Sequence, residues 1–345
     1  MGLRPLLNTW LPVAAFAFAA SGLGVAAFAR WASAGRLLDL PNERSSHSRP
    51  TPRGAGAVIV AVVSLTAAWP IIVGRASLTL AATVVALSAM LIAIVSAIDD
   101  ARSLGSTSRL VVHTVCATAA IVAVAGPHWA VLPAAIAVLW VVGLTNAYNF
   151  MDGIDGIAGA QAVVAGAALA VASQYAGLPA QARVALTISA ASAGFLLHNW
   201  PPARVFMGDV GAAFIGFVFG AIVVQVFQIS AALALGAALS LWPFVFDTSF
   251  TFVRRAIRRE NVLASHRSHL YQRLVISGWS HARVTSLYSV AAVTGGFVGL
   301  VWATERDEMS PLILLVVPAM AVAMWMLVVW RETQRSAELA LKREA

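Results

Sequence analysis

The stretch AVLWVVGLTNAYNFMDGIDG, residues 137–156, carries an apolar run into polar groups at three-residue steps: Asn146, Asn149, Asp152 and Asp155. Three residues turn about 300° on an α-helix, so a continuous helix would splay these side chains around its circumference. Gly153 and Gly156 disfavour a continuous helix. The spacing therefore predicts a helix ending near Asn149 and a bent loop that turns both carboxylates to one place. The plainer alternative is a helix end with capping residues, but a cap uses one polar side chain, not four.

The rest of the chain shares this apolar character. Of its 345 residues 60% are hydrophobic and 11% charged, with mean hydropathy +0.82, well outside the range of soluble domains. Eleven stretches could cross or nearly cross a bilayer: 11–28, 57–73, 78–98, 110–125, 131–145, 157–173, 184–197, 210–227, 230–253, 284–303 and 311–330. Several fall short of the roughly 20 residues a lone span needs, and neighbours in a bundle would shield their ends. The expected fold is an all-α integral membrane protein, a polytopic bundle of about 11 transmembrane helices. Short connections argue for a single domain over 1–345, its polar motifs within about 44–273 and a basic tail at 331–345.

A net charge of +8 would suggest nucleic acid were it not for its distribution. With the amino terminus outside and sides alternating, only Arg4, Arg75, Arg183 and Arg306 of the 23 Lys and Arg residues lie on outer segments. That is the positive-inside pattern, so the basic excess reports topology and no nucleic-acid partner is expected. It also favours a retained first span over a cleaved leader. Cys116 stands alone and can form no intrachain disulfide.

The same orientation puts every polar motif on the inner side. The loop 43–56 combines Arg44, Arg49 and Arg53 with Ser45, Ser46 and Thr51, donors suited to phosphate oxygens. Prolines at 50 and 52 keep it from being helical. The third span ends in Asp99 and Asp100, whose mutual repulsion, on the order of 4 kcal/mol at 4 Å, calls for a cation, a shared proton or an arginine such as Arg102 or Arg109. In HNWPPARVFMGDVGAAFIGF, Asp209 opens a helix with Arg204 just before it, and Phe206 offers a flat face for a base. Asp247, near the end of the ninth span, should face the bundle interior or pair with Arg254 or Arg255. His266 and His269 would share a face if their segment is helical, and suit a zinc pair, a pH switch or phosphate donors. A carboxylate-rich site without cysteine ligands favours magnesium over zinc, and the histidines then serve anionic groups.

Together, RSSHSRPTPRGAG, AIDD, NAYNFMDGIDGIA, PARVFMGDVGAAFIGF and HRSHLYQRL resemble the bacterial polyprenyl-phosphate N-acetylhexosaminyl-1-phosphate transferases of glycosyltransferase family 4. The form of the last motif is closer to the O-antigen-initiating branch. The resemblance implies transfer of a sugar 1-phosphate from a UDP-N-acetylhexosamine, N-acetylglucosamine or a 6-deoxy relative, to undecaprenyl phosphate with release of UMP. It implies magnesium, or manganese in its place, and an active site on the cytosolic face of the bacterial inner membrane. A homodimer is compatible with it. By position, Asp99 resembles the carboxylate proposed as base toward the lipid phosphate and Asp100 its neighbour. Asp209 matches the magnesium ligand, Asn149 a position near nucleotide and metal. Asp152 and Asp155 fall where the family contacts uridine or orders the loop, and Phe206 where it stacks on uracil. His266 and His269 match the histidine motif near sugar and phosphates, while Arg53 and Arg204 count among the substrate-binding residues. Ala55 and Ala212 depart from a glycine and a serine common in the family. The competing class is a multi-span transporter, prompted by Asp247 and the span number, although transporters place their coupling acids near the midplane.

Overall fold

The computed structural model describes residues 3–34, 37–39, 50–126, 129–262, 264, 266–305 and 309–344. Arg44, Ser45, Ser46 and Arg49 of the first polar loop lie outside the described residues. The helices are α1 (Leu3–Ala32), α2 (Gly56–Ile72), α3 (Leu80–Arg102), α4 (Ser106–Ala125), α5 (Val131–Met151), α6 (Ile157–Tyr175) and α7 (Pro179–Asn199). After them come α8 (Gly208–Phe227), α9 (Ala231–Ala238), α10 (Trp242–Ile257), α11 (Leu270–Ile276), α12 (His281–Thr304) and α13 (Val316–Glu344). Among the described residues ten helical segments are long and apolar enough to cross a membrane, and α2 is a shorter apolar helix. This is the multi-pass all-α architecture expected from hydropathy.

Local chemistry sets the helix ends. Thr79 caps α3 by accepting the Ala82 N–H at 3.1 Å, and Ser230 does the same for α9 with Leu233 at 3.3 Å. Pro179 sits in the first turn of α7, where its missing N–H costs nothing. The ninth span is not one helix: Pro243 begins a new one, and a 3₁₀ turn, Leu239–Leu241, joins α9 to α10.

α8 is the axis of the bundle. Residues of its apolar window are 89% buried, against 28% for α3, because α2, α3, α5, α6 and α9 surround it. Small residues let the backbones meet. A Cβ on Gly56 would lie 2.5 Å from the Cα of Gly211, and one on Gly216 would lie 2.7 Å from the Leu144 carbonyl oxygen.

Two short strands, Leu38–Asp39 and Thr51–Pro52, pair antiparallel ahead of α2. The second is tied to the segment before α8: the Phe206 N–H donates to the Pro52 carbonyl at 2.8 Å, Ala55 N–H to Phe206 at 3.0 Å, and Gly56 N–H to Met207 at 2.8 Å. That zipper sets Arg53 over the first turn of α8.

Two local expectations change. α5 runs to Met151, two residues beyond Asn149, because Phe150 and Met151 continue its apolar pattern and Gly153 is the first residue to break it. His266 and His269 do not share a helix face. The described residues between α10 and α11 are non-helical, and His269 is the residue that caps α11.

Candidate active site

Three carboxylates from two helix ends meet beneath the Arg53 loop. Asp99 and Asp100 close α3, and Asp209 opens α8. Arg53 Nε lies 2.9 Å from Asp100 Oδ1, and its Nη2 2.7 Å from Asp209 Oδ1. Arg109, from the first turn of α4, places Nη1 2.6 Å from both Asp99 Oδ2 and Asp209 Oδ2. Asp209 is thus held between two guanidinium groups, each shared with one member of the Asp99–Asp100 pair. Burial works against the charge on Arg53, but Asp100 and Asp209 outweigh it and hold the group firmly protonated.

Asp100 has a second task. Its Oδ1 accepts the Asp209 N–H at 3.0 Å and its Oδ2 the Val210 N–H at 3.1 Å, so α8 is capped in trans by a carboxylate from α3. Gly208, at φ +75°, makes the approach feasible: a Cβ there would lie 2.6 Å from Asp100 Oδ2. Asp99 Oδ1 meanwhile accepts the Leu104 N–H and holds the turn after α3, in which Ser103 has φ 50°.

Asn149 reaches the cluster from α5. Its Nδ2 donates to Asp209 Oδ2 at 3.1 Å, and its Oδ1 is buried without a hydrogen-bond partner. Three carboxylates against two guanidinium groups leave excess negative charge, and a buried orphan oxygen stands beside it. These all-oxygen donors fit magnesium, which takes one or two carboxylates and completes its shell with water and substrate phosphates. Among the described residues no group of three or more His, Cys, Asp or Glu is placed to hold a metal ion by itself.

The loop after α5 does not bring its two acids together as expected. Asp152 turns toward the Gly208 N–H and the α8 cluster, where burial and the charge of Asp209 push its carboxyl up to about 7 against the pull of Arg53. Asp155 goes elsewhere: its Oδ2 accepts the Ala203 N–H at 3.0 Å and lies 3.3 Å from His281 Nδ1. Gly156, at φ +80°, then turns the chain from this loop into α6. Asn146 donates to the Val142 carbonyl of its own helix at 2.7 Å and also bonds His113 of α4.

The histidine segment docks beside this loop. His266 and His269 rings lie 4.9 Å apart, and His269 stacks on Phe150 at 6.3 Å. The Tyr271 hydroxyl donates to the Phe150 carbonyl at 3.0 Å, while Gly153 leaves room for that hydroxyl. Phe206 runs alongside Arg53 in a parallel bridge, and Arg204 is exposed on the same turn.

Some residues that build the site escape a sequence reading. Asp247 is fully buried and pairs with neither Arg254 nor Arg255. It accepts the N–H groups of Leu270 at 2.8 Å and Tyr271 at 3.0 Å and the Tyr288 hydroxyl at 2.6 Å, with His269 Nδ1 at 3.3 Å. An acid in an apolar span was the only signal, and it does not disclose partners that lie beyond the span. Arg109 looked like a local counter-charge to Asp99, yet it also grips Asp209, and His281 carried no signal at all.

A polytopic helical membrane protein with a carboxylate–arginine cluster at one end of its bundle is the class this geometry defines. Residues 82–227, from α3 through α8, match the sequence profile of glycosyl transferase family 4. Over that part, 146 of its 345 residues, the chain is similar to that family. It is 27% identical over 271 residues to a probable undecaprenyl-phosphate N-acetylglucosaminyl 1-phosphate transferase of Bacillus subtilis, covering 71% of each chain. It is 28% identical to the decaprenyl-phosphate N-acetylglucosaminephosphotransferase of Mycolicibacterium smegmatis, over 72% of this chain and 70% of that one. A phospho-N-acetylmuramoyl-pentapeptide-transferase of Staphylococcus carnosus is 30% identical over 47% of this chain and 50% of its own length.

Proposed function

We propose that the protein transfers a sugar 1-phosphate from a UDP-N-acetylhexosamine to undecaprenyl phosphate, releasing UMP, at the cytosolic face of a bacterial inner membrane. The observation that carries this reading is the meeting of Asp99, Asp100 and Asp209 with Arg53, Arg109 and the unpartnered oxygen of Asn149. The relatives' names supply the substrate class, and the concentration of basic residues on one side supplies the orientation.

In the reaction an oxygen of the lipid phosphate attacks the β-phosphorus of the UDP-sugar. The bond from that phosphorus to the bridging oxygen breaks, UMP leaves with that oxygen, and lipid and sugar end joined through a pyrophosphate. A lipid phosphate is already largely ionised near pH 7, so Asp99 is not needed as a base and serves mainly as a positioning group through Arg109, whose Nη1 it holds at 2.6 Å. Asp209 and Asn149 would hold magnesium, which supplies charge neutralisation on the transferring phosphoryl group. Arg53 and Arg109 are in reach of phosphate oxygens as the charge moves to UMP. Phe206 offers uracil a stacking face, with Arg204 and Asp152 beside the nucleotide. His266 and His269 face sugar and phosphates, and Asp155 orders the loop through Ala203 and His281. Lipid-linked glycan assembly, O-antigen among its forms, is the process this product would initiate, and N-acetylglucosamine is the first sugar to try because two relatives are named for it.

The test is UMP release by purified protein given undecaprenyl phosphate, magnesium and a panel of UDP-N-acetylhexosamines. Turnover with one sugar, its loss on chelation and its recovery with magnesium or manganese are expected. No UMP from any sugar, with substrate accumulating in sealed vesicles, would return the transporter reading; against it stands the full hydrogen bonding of Asp247, the acid that prompted it.

A further inference from the structure

An open groove of about 650 Å³ lies between α12 and α13, lined by Trp279, Arg283, Leu287, Val290, Trp330 and Arg331. It sits toward the end of the bundle that carries the candidate active site, since His281, two residues before Arg283, pairs with Asp155. None of the residues of the carboxylate cluster lines it.

The groove combines two kinds of surface. Leu287 and Val290 follow α12 into its membrane-spanning part, and Val290 is 62% exposed. Arg283 and Arg331 stand at the groove's other end, from different helices. Neither has a carboxylate partner among the described residues. The nearby acids are engaged elsewhere: Glu332 is taken by Arg273 through Nε at 2.7 Å and Nη2 at 2.5 Å, and Glu338 by Arg335 at 3.2 Å. Arg331 reaches the Ser277 carbonyl through Nη2 at 3.3 Å, while its Nε is buried with no partner. A buried guanidinium N–H left unpaired is costly, so the protein alone does not supply Arg331 with a full set of partners.

We propose that this groove binds an anionic phospholipid of the surrounding leaflet, its phosphodiester on Arg283 and Arg331 and an acyl chain along Leu287 and Val290. Guanidinium groups match phosphate oxygens in shape and charge, and basic pockets between spans are suited to anionic headgroups. Trp279 and Trp330 supply the amphipathic rings that favour headgroup depth. The apolar wall lies within a spanning helix, at the depth of hydrocarbon rather than of a soluble partner. The carrier lipid of the transfer reaction is a poorer fit, because its phosphate must reach Asp99 and Asp209. This inference stands apart from the proposed reaction.

Delipidated full-length protein in neutral detergent would be titrated with phosphatidylglycerol, phosphatidylcholine, undecaprenyl phosphate and inorganic phosphate, with binding read by native mass spectrometry and thermal shift. Phosphatidylglycerol should bind at least tenfold more tightly than phosphatidylcholine, and Arg283→Gln with Arg331→Gln should remove that preference. UMP release in lipid-free detergent should be unchanged in the double variant. Arg283→Gln alone, at an exposed side chain, should give a partial loss and guards against a folding defect in the pair. Equal binding of the two phospholipids, or an unaltered preference in both variants, overturns the proposal. So does a shift by inorganic phosphate equal to that by phosphatidylglycerol, or undecaprenyl phosphate as the species whose binding the substitutions remove.

Discussion

Asp100 caps the helix that Asp209 opens, its two oxygens accepting the N–H groups of residues 209 and 210 at 3.0 and 3.1 Å. The two acids therefore have separable work, one holding the helix and the other facing the cluster. Asp100→Asn turns an amide toward donors and should cost about 1–2 kcal/mol of stability along with turnover. Asp209→Asn keeps the backbone cap and should abolish UMP release with a smaller loss of stability. Thermal unfolding and UMP assays on both variants decide it; equal stability losses would refute the division.

Arg109 joins Asp99 to Asp209 through a single nitrogen, 2.6 Å from each. Arg109→Gln leaves two acids facing each other without their shared cation and should lower turnover at least tenfold. Adding Asp99→Asn should restore part of the lost stability, because it removes the uncompensated charge. Thermal unfolding of the single and double variants measures the coupling, and strict additivity would speak against it.

Asp247 anchors the histidine segment to the bundle. Asp247→Ala strands the N–H groups of Leu270 and Tyr271 and the Tyr288 hydroxyl in a buried site and should cost about 3–5 kcal/mol. Tyr288→Phe removes one of these bonds and should cost about 1 kcal/mol. Chemical denaturation would rank them, with a near-neutral Asp247→Ala as the contrary result.

Burial and Asp209 raise the Asp152 carboxyl from its ordinary 3.8 to about 7. The folded protein therefore keeps a proton that the unfolded chain releases, and stability falls as pH rises from 3.8 to about 7. Asp152→Asn lacks this penalty, so its stability relative to the parent should grow across that window, reaching on the order of 4 kcal/mol at pH 8 in chelator. Melting curves of both proteins at pH 5 and pH 8 check it; a constant difference would contradict the shift.

Close backbone contact is as exacting as charge. Gly56→Ala would drive a methyl to within 2.5 Å of the Gly211 Cα, where no flexible side chain can yield. The zipper between residues 52–56 and 206–207 should open, displacing Arg53. Expression yield and turnover of Gly56→Ala, compared with Gly74→Ala at an open position, would show it.

Helix type, the multi-pass character and the common side of the motifs were legible from the amino-acid sequence, because hydropathy and the placement of basic residues act locally along the chain; of the eleven expected spans ten are of membrane length among the described residues and α2 is shorter. The apolar stretches 157–173 and 210–227 lie within α6 and α8, and Asp99, Asp100 and Asp209 stood out as acids at span ends. Partnership was another matter. Arg53 and Asp209 are 156 positions apart and Arg109 and Asp209 are 100 apart, so no local period links them. Which carboxylate caps α8, why Asp152 and Asp155 part company, and what Asp247 holds were settled only when glycine contacts drew the helices together. A polar side chain's partners depend on which backbones can approach that closely, and that is a property of the packed bundle.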